Sequence, residues 1–155
     1  MAVPVPRRSG GGRVAAVLVA AALLATVTGC SQGASGTLET ALKSAVSATE
    51  TARQALALFA DGRATSAVAS SALGDMLQEL NSAQGEVAQA EPSSDADRSA
   101  RRRVLAVLDD AVAGVTSAEE AVARTPGAPA VGAILQRIDR VTERLHALEK
   151  AGGTA

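Results

Sequence analysis

The feature that most constrains the fold of this chain is an apolar repeat with alternating steps of three and four residues. It is clearest near the C-terminus, in the stripe formed by Val131, Ile134, Ile138, Val141, Leu145 and Leu148. Spacing near 3.5 places such residues along one face of an α-helix and predicts left-handed, coiled-coil-like packing. The strict alternation of a β-strand appears nowhere in the chain.

Three earlier segments carry the same repeat. Their stripes are Leu38, Leu42, Ala45, Thr49, Ala52, Leu56 and Phe59; Ala69, Leu73, Met76, Leu80, Ala83 and Val87; and Leu105, Leu108, Val112, Val115, Ala118 and Val122. Helix-breaking sequences separate the segments: Asp61-Gly62, then residues 91–94, then residues 125–129. Ser94 followed by Asp97 resembles a capping box, and Pro129 suits a first helical turn. The interior glycines of the second segment, Gly74 and Gly85, make it the weakest helix.

Four helices of about 22 to 29 residues with short connections predict one all-α domain, an antiparallel four-helix up-down-up-down bundle. We expect the bundle to span residues 37–150 and residues 151–155 to form a disordered C-terminus. Many stripe positions are alanines, which bury little apolar area. The expected stability is therefore modest, and self-association stays open as a way of adding to it.

The N-terminus has the three parts of an export signal. Arg7, Arg8 and Arg13 precede an uncharged apolar run over residues 14–27, which is followed by small residues and by Cys30. The 14-residue run is shorter than the roughly 20 residues that a transmembrane helix needs.

The stretch Val27-Thr28-Gly29-Cys30 resembles the lipobox of bacterial lipoproteins, which has an aliphatic residue three positions before the cysteine and small residues between. The resemblance covers the signal and the cysteine alone. It implies that residues 1–29 are a cleaved signal peptide and that Cys30 is lipidated, with residues 30–36 as a flexible tether. The protein would then be anchored on the extracytoplasmic face of the cell membrane. The alternative is a plain secretory signal with a free thiol nearby.

Composition excludes several classes of function for the remaining 126 residues. Without the three leading arginines, the balance is 12 basic against 16 acidic side chains, a net charge of −4, so we expect no nucleic-acid partner. Phe59 is the only aromatic residue, which leaves no platform for stacking bases or sugars. With one cysteine there is no internal disulfide. In the full sequence, thirteen arginines beside two lysines resemble the usage of a GC-rich, actinobacterial-type genome.

No constellation of catalytic or metal-binding side chains appears in the sequence. Glu143 and His146 have the i, i+3 spacing of a di-iron ligand pair, but a di-iron site needs two such pairs and two further glutamates, and His146 is the single histidine. We therefore expect a solvated surface pair, no cofactor and no enzymatic activity.

The start of the third helix carries the local anomaly of the chain, the arginines Arg98, Arg101, Arg102 and Arg103. Four cations there oppose the helix dipole, which Asp95 and Asp97 offset only in part. One interpretation is a solvated basic face. The other is contact with anionic lipid headgroups or a partner, because an up-down-up-down path returns this helix to the side of Cys30.

Two functions are compatible with these observations. The first is a membrane-anchored adaptor whose bundle binds another envelope protein, and it predicts an exposed apolar stripe on one or two helices. The second is a small-ligand-binding or sensory bundle, and it predicts an enclosed apolar cavity, which a polar interior residue such as Thr49 could mark.

Overall fold

A computed structural model describes residues 34–124 and 128–152. Within these ranges the chain forms four α-helices and no strand: α1 Ala34–Ala60, α2 Ser66–Gln89, α3 Asp95–Ala123 and α4 Ala128–Gly152. The predicted export signal and Cys30 lie outside the described residues.

The ends of α1 and α2 follow from local chemistry. At the end of α1, Gly62 adopts a φ of 68°, which its missing Cβ permits, and the amides of Gly62 and Arg63 bond the carbonyls of Phe59 and Leu58. These two bonds form a Schellman motif, so the predicted stop at Asp61-Gly62 is confirmed. The hydroxyl of Thr65 caps α2 by accepting from the amide of Val68 at 3.3 Å.

The four helices pack as an antiparallel bundle. One diagonal pair of helices lies closer together than the other, and we call it the short diagonal. Each helix contacts its two neighbours around the bundle. Helix α1 also contacts α3 across the middle, whereas α2 and α4 do not touch within the described ranges. Many of the buried residues of α1 and α3 are small: Ala41, Ala45, Ala48 and Ala52 on α1, and Ala111, Gly114 and Ala118 on α3. Small side chains let two backbones approach closely, which is consistent with the contact between α1 and α3.

The predicted stripes account for most of the core. Every stripe residue of α1 and α2 is buried except Phe59 and Met76, which are half-buried, and Ile138 and Leu145 are fully buried on α4. On α3 the buried face includes Leu108, Val115, Ala118 and Val122 of the predicted stripe but is wider than predicted. Leu105 and Val112 are half-buried, and the residues Val104, Val107, Ala111 and Gly114 are buried as well. The face is wide because α3 contacts all three other helices.

Both ends of the bundle extend beyond the predicted limits. Helix α1 begins at Ala34, so residues 34–36 of the predicted tether are helical, and the hydroxyl of Thr40 donates to the carbonyl of Gly36 at 3.0 Å. Helix α4 continues to Gly152, two residues into the segment predicted to be disordered. Periodicity failed to locate these ends because the terminal turns contain glycine, alanine and serine, which carry no apolar repeat.

Candidate functional site

The first turn of α3 is fixed by a reciprocal cap. The hydroxyl of Ser94 accepts from the amide of Asp97 at 3.0 Å, as the capping-box spacing predicted. The Asp97 carboxylate in turn accepts from the hydroxyl of Ser93 at 2.6 Å and from the Ser93 amide at 3.2 Å, one residue earlier than in a standard box. The Ser93 hydroxyl, followed by the Ser94 hydroxyl, holds the pKa of Asp97 below its ordinary value. The aspartate is therefore ionised and committed to the cap at neutral pH.

Three of the four predicted site arginines, Arg98, Arg101 and Arg103, have hydrogen-bond or ion-pair partners. Arg98 forms an ion pair with Asp95 one turn earlier. Arg101 is half-buried, and its Nη2 donates to the carbonyl of Ala88, in the last turn of α2. A cation at a helix C-terminus satisfies an orphan carbonyl and complements the helix dipole. The Nε of Arg101 is buried without a hydrogen-bond partner in the described ranges, which lowers the stability of the fold. The side chain thus links α2 to α3 but loses part of the free energy gained by that contact.

Arg102 and Arg103 point in different directions. Arg102 is exposed and has no hydrogen bond or ion pair within the residues described. Arg103 is exposed, and its Nη1 donates to the Ser99 hydroxyl at 3.0 Å. Because residues two apart on a helix point about 200° apart, Arg101 and Arg103 lie on opposite sides of α3. The four arginines thus do not form one continuous basic face.

His146 joins α1 to α4 without Glu143. Its Nε2 lies 3.2 Å from Glu50 Oε1 on α1, and its Nδ1 lies 3.6 Å from Glu149 Oε2 on α4. No group of three or more His, Cys, Asp or Glu side chains that could hold a metal ion occurs among the described residues. The arrangement is a polar surface cluster that links two helices.

Thr49 is buried, but its own helix satisfies it. Its hydroxyl lies 3.0 Å from the carbonyl oxygens of both Ala45 and Val46 and donates within α1. It lines none of the three clefts described below. This threonine therefore does not mark a ligand cavity.

Side-chain bridges cross three of the four seams between neighbouring helices. Arg53 pairs with Asp139 across α1 and α4, and Arg144 pairs with Asp110 across α3 and α4. Gln84 donates to Asp109 across α2 and α3 at 2.6 Å. No such bridge crosses α1 and α2 in the part of the chain that the structure describes.

The α1–α2 groove is the surface depression along that unbridged seam, with a volume of about 470 Å³. It is lined by Ser44, Ser47, Ala48 and Thr51 from α1 and by Asp75, Met76, Gln78, Glu79 and Ser82 from α2. Asp75 and Glu79 are exposed and have no hydrogen bond or ion pair among the described residues. Helix α2 contains no lysine or arginine. The groove therefore presents two uncompensated negative charges among short polar side chains.

Two further clefts differ in character. A groove between α1 and α4, of about 580 Å³, includes Arg53 and Asp139, so an ion pair already spans it. The terminal cleft lies between the start of α1, the start of α3 and the end of α4, and is about 300 Å³ in volume. Its walls include Leu38, Leu42, Ala100, Val104 and Leu148. It is the most enclosed and most apolar of the three.

The exposed apolar stripe expected for an adaptor is not found in the described ranges. Val68, at the start of α2, is the one large hydrophobic residue that is exposed there, at 62%. The sequence analysis did not identify the groove residues, because only the packing of α1 against α2 brings them together. The signal that could have found them is the lack of any basic residue over residues 66–89.

The comparisons with known proteins add no family. No protein-family model, curated protein or solved structure matches the chain. None of the helices in the described ranges combines the length and the apolar character that a membrane crossing requires.

Proposed function

We propose that this protein is an extracytoplasmic lipoprotein, anchored by lipid on Cys30, whose helical bundle binds a basic segment of another envelope protein. The lipobox-like stretch before Cys30 supports the anchor. The α1–α2 groove supports the adaptor, because it is the one unbridged seam in the described bundle and it carries the unpaired Asp75 and Glu79. In this proposal a partner helix lies in the groove between two helices and contacts it through polar and basic side chains.

Charge complementarity defines the chemistry of this partner. Short serine and threonine side chains lose little conformational entropy when covered, and they let a helix approach closely. Lysine or arginine side chains on that helix would pair with Asp75 and Glu79. Such pairs at an exposed rim mainly raise the association rate and select the partner, so binding should weaken as salt rises.

A photo-crosslinking experiment in the native host tests the groove as the contact surface. A photoreactive amino acid replaces Ser47, Ser82 or, as a control, the exposed Gln136 on α4. We expect a discrete crosslinked protein from the two groove positions and none from the α4 position. Equal crosslinking from all three would contradict the groove as the specific surface.

The charge of the groove is tested in the same crosslinking assay. The double variant Asp75→Arg and Glu79→Arg should lower the affinity for the captured partner by at least about tenfold, since like charges would face each other. A matched variant, Glu86→Arg and Glu91→Arg, changes the net charge equally outside the groove lining. Loss of the crosslink in both variants would point to net charge rather than to the groove.

The arginines of α3 supply a second, weaker attraction in this proposal. The first turns of α3 carry Arg98, Arg102 and Arg103, and α3 starts at the same end of the bundle as α1. Each cation near an anionic membrane surface contributes about 1 kcal/mol to the free energy of binding. Asp95 and Asp97 offset much of this. Arg101 is not part of this membrane-facing group, because its side chain bonds the end of α2.

Changing Arg98, Arg102 and Arg103 to glutamine in the non-lipidated chain should reduce binding to anionic vesicles by about tenfold at low salt. Co-sedimentation with neutral and anionic vesicles at two salt concentrations measures this. The wild-type preference for anionic vesicles should fade at high salt, where the Debye length shrinks to about 3 Å at 1 M. A preference that survives the triple change would return these arginines to the role of a solvated face.

A further inference from the structure

We propose that the terminal cleft holds part of an acyl chain from a phospholipid of the membrane in which the protein is anchored. This inference rests on the anchoring of Cys30 and goes beyond the proposed binding of an envelope protein. Three observations carry it: the lining of the cleft, the pairing of the charges at its rim, and its position at the end of the bundle where α1 begins.

The lining of the cleft is aliphatic. Leu38 and Leu42 from α1 and Val104 from α3 are buried, while Ala100 and Leu148 are half-buried. A volume of about 300 Å³ is at the lower end of the range that encloses small ligands. The lining contains no aromatic ring. Such a space suits a flexible hydrocarbon chain better than a flat or polar molecule.

The charged residues at the rim already have partners. Glu39 pairs with Lys43 at 2.6 Å, and this hydrogen bond lowers the pKa of Glu39 and raises that of Lys43. Asp97 belongs to the α3 cap, and Arg103 donates to Ser99.

The last rim charge, Glu149, lies 3.6 Å from His146. Each charged side chain at the rim thus already has a polar partner on the protein, and binding within the cleft depends on the burial of hydrocarbon. Each buried methylene group contributes about 0.8 kcal/mol.

The position of the cleft indicates where the acyl chain would come from. Ser35 in the first turn of α1, Ala96 in the first turn of α3 and Gly152 at the end of α4 all line it. Only residues 31–33 separate Cys30 from α1, a length of chain that spans at most about 14 Å. A lipid on Cys30 would thus keep this end of the bundle near the bilayer surface, where phospholipid acyl chains are the abundant hydrocarbon.

Photolabelling of the lipidated protein in vesicles tests the inference. The probe is a phosphatidylglycerol with a diazirine midway along one acyl chain, and labelled residues are identified by mass spectrometry. We expect labels on the cleft residues Leu42, Ala100 and Leu148. Labels confined to other surfaces, or none on the bundle, would overturn the proposal, and this map needs no variant.

Two variants of α3 provide the matched comparison. Ala100→Phe fills the cleft and should reduce cleft labelling to background, whereas Ala106→Phe, at an exposed position of the same helix, should leave it unchanged. Circular dichroism verifies that both are folded. Equal labelling in two folded variants would overturn the cleft as the binding site.

Sedimentation of the same samples distinguishes a failure of this inference from a failure of the proposed lipid anchor. Protein that sediments with vesicles but carries no label in the cleft overturns the cleft alone. Wild-type protein that stays in the supernatant overturns the anchor, and the acyl-chain proposal with it.

Discussion

Ile138→Asp should remove a large part of the bundle's stability. Ile138 is 1% exposed, and its Cγ1 lies 3.6 Å from where a Cβ on Gly114 would stand, so it fills the space beside the smallest residue of α3. An unpaired carboxylate there would cost about 4 kcal/mol, the usual penalty for an uncompensated buried charge. Small domains have only about 5 to 15 kcal/mol of stability in total. Thermal and urea unfolding followed by circular dichroism measures the loss.

Two controls isolate burial as the cause. Arg137→Asp, at the adjacent exposed position, should change the free energy of unfolding by no more than about 0.5 kcal/mol. Ile138→Val removes one methylene and should cost about 1 kcal/mol. Burial raises the pKa of the new carboxyl, so the penalty should shrink as pH falls through that pKa and the group becomes neutral. Comparable losses from Ile138→Asp and Arg137→Asp would mean that the buried face of α4 is misassigned.

The stripe of α4 shows what the sequence could predict. A regular repeat of bulky aliphatic residues defines a face, and a capping serine or a Gly in the left-handed region defines an end. Local chemistry of this kind acts within a few residues, so Ser94, Gly62 and Ile138 could be assigned before any fold was known.

Contacts between helices could not be predicted in the same way. The half-buried Arg101 bonds Ala88, and their pairing depends on how the end of α2 meets the start of α3. Closeness in the sequence made Arg101 and Arg103 members of one basic group, although they lie on opposite sides of α3. Likewise, a stripe of alanines says that a helix can be approached closely, but not that α1 and α3 will form the short diagonal.

The candidate groove shows the same limit at the level of function. Ser47 and Glu79 are unremarkable in their own segments, and their meaning comes from the missing bridges across the α1–α2 seam. The sequence-based expectation was an apolar contact stripe, yet Val68 is the one large hydrophobic residue that is exposed in the described bundle. The surface it leaves for a partner is polar and acidic, which changes the kind of partner to search for.

Anchoring itself would be decided by Cys30→Ala, which should abolish stable membrane attachment. One acyl chain holds a protein only marginally, whereas the two chains of a diacylglyceryl group hold it stably. Without the thiol no such group can attach, which leaves uncleaved precursor or unlipidated, secreted protein. Detergent partitioning alone would not separate these outcomes, because a precursor that retains the apolar run over residues 14–27 also enters the detergent phase. Intact-mass measurement does: wild-type protein should start at Cys30 and carry lipid mass. Ser31→Ala, one residue further on, should behave as wild type. Equal detergent partitioning by cleaved, lipid-free Cys30→Ala protein would show that the attachment has another origin.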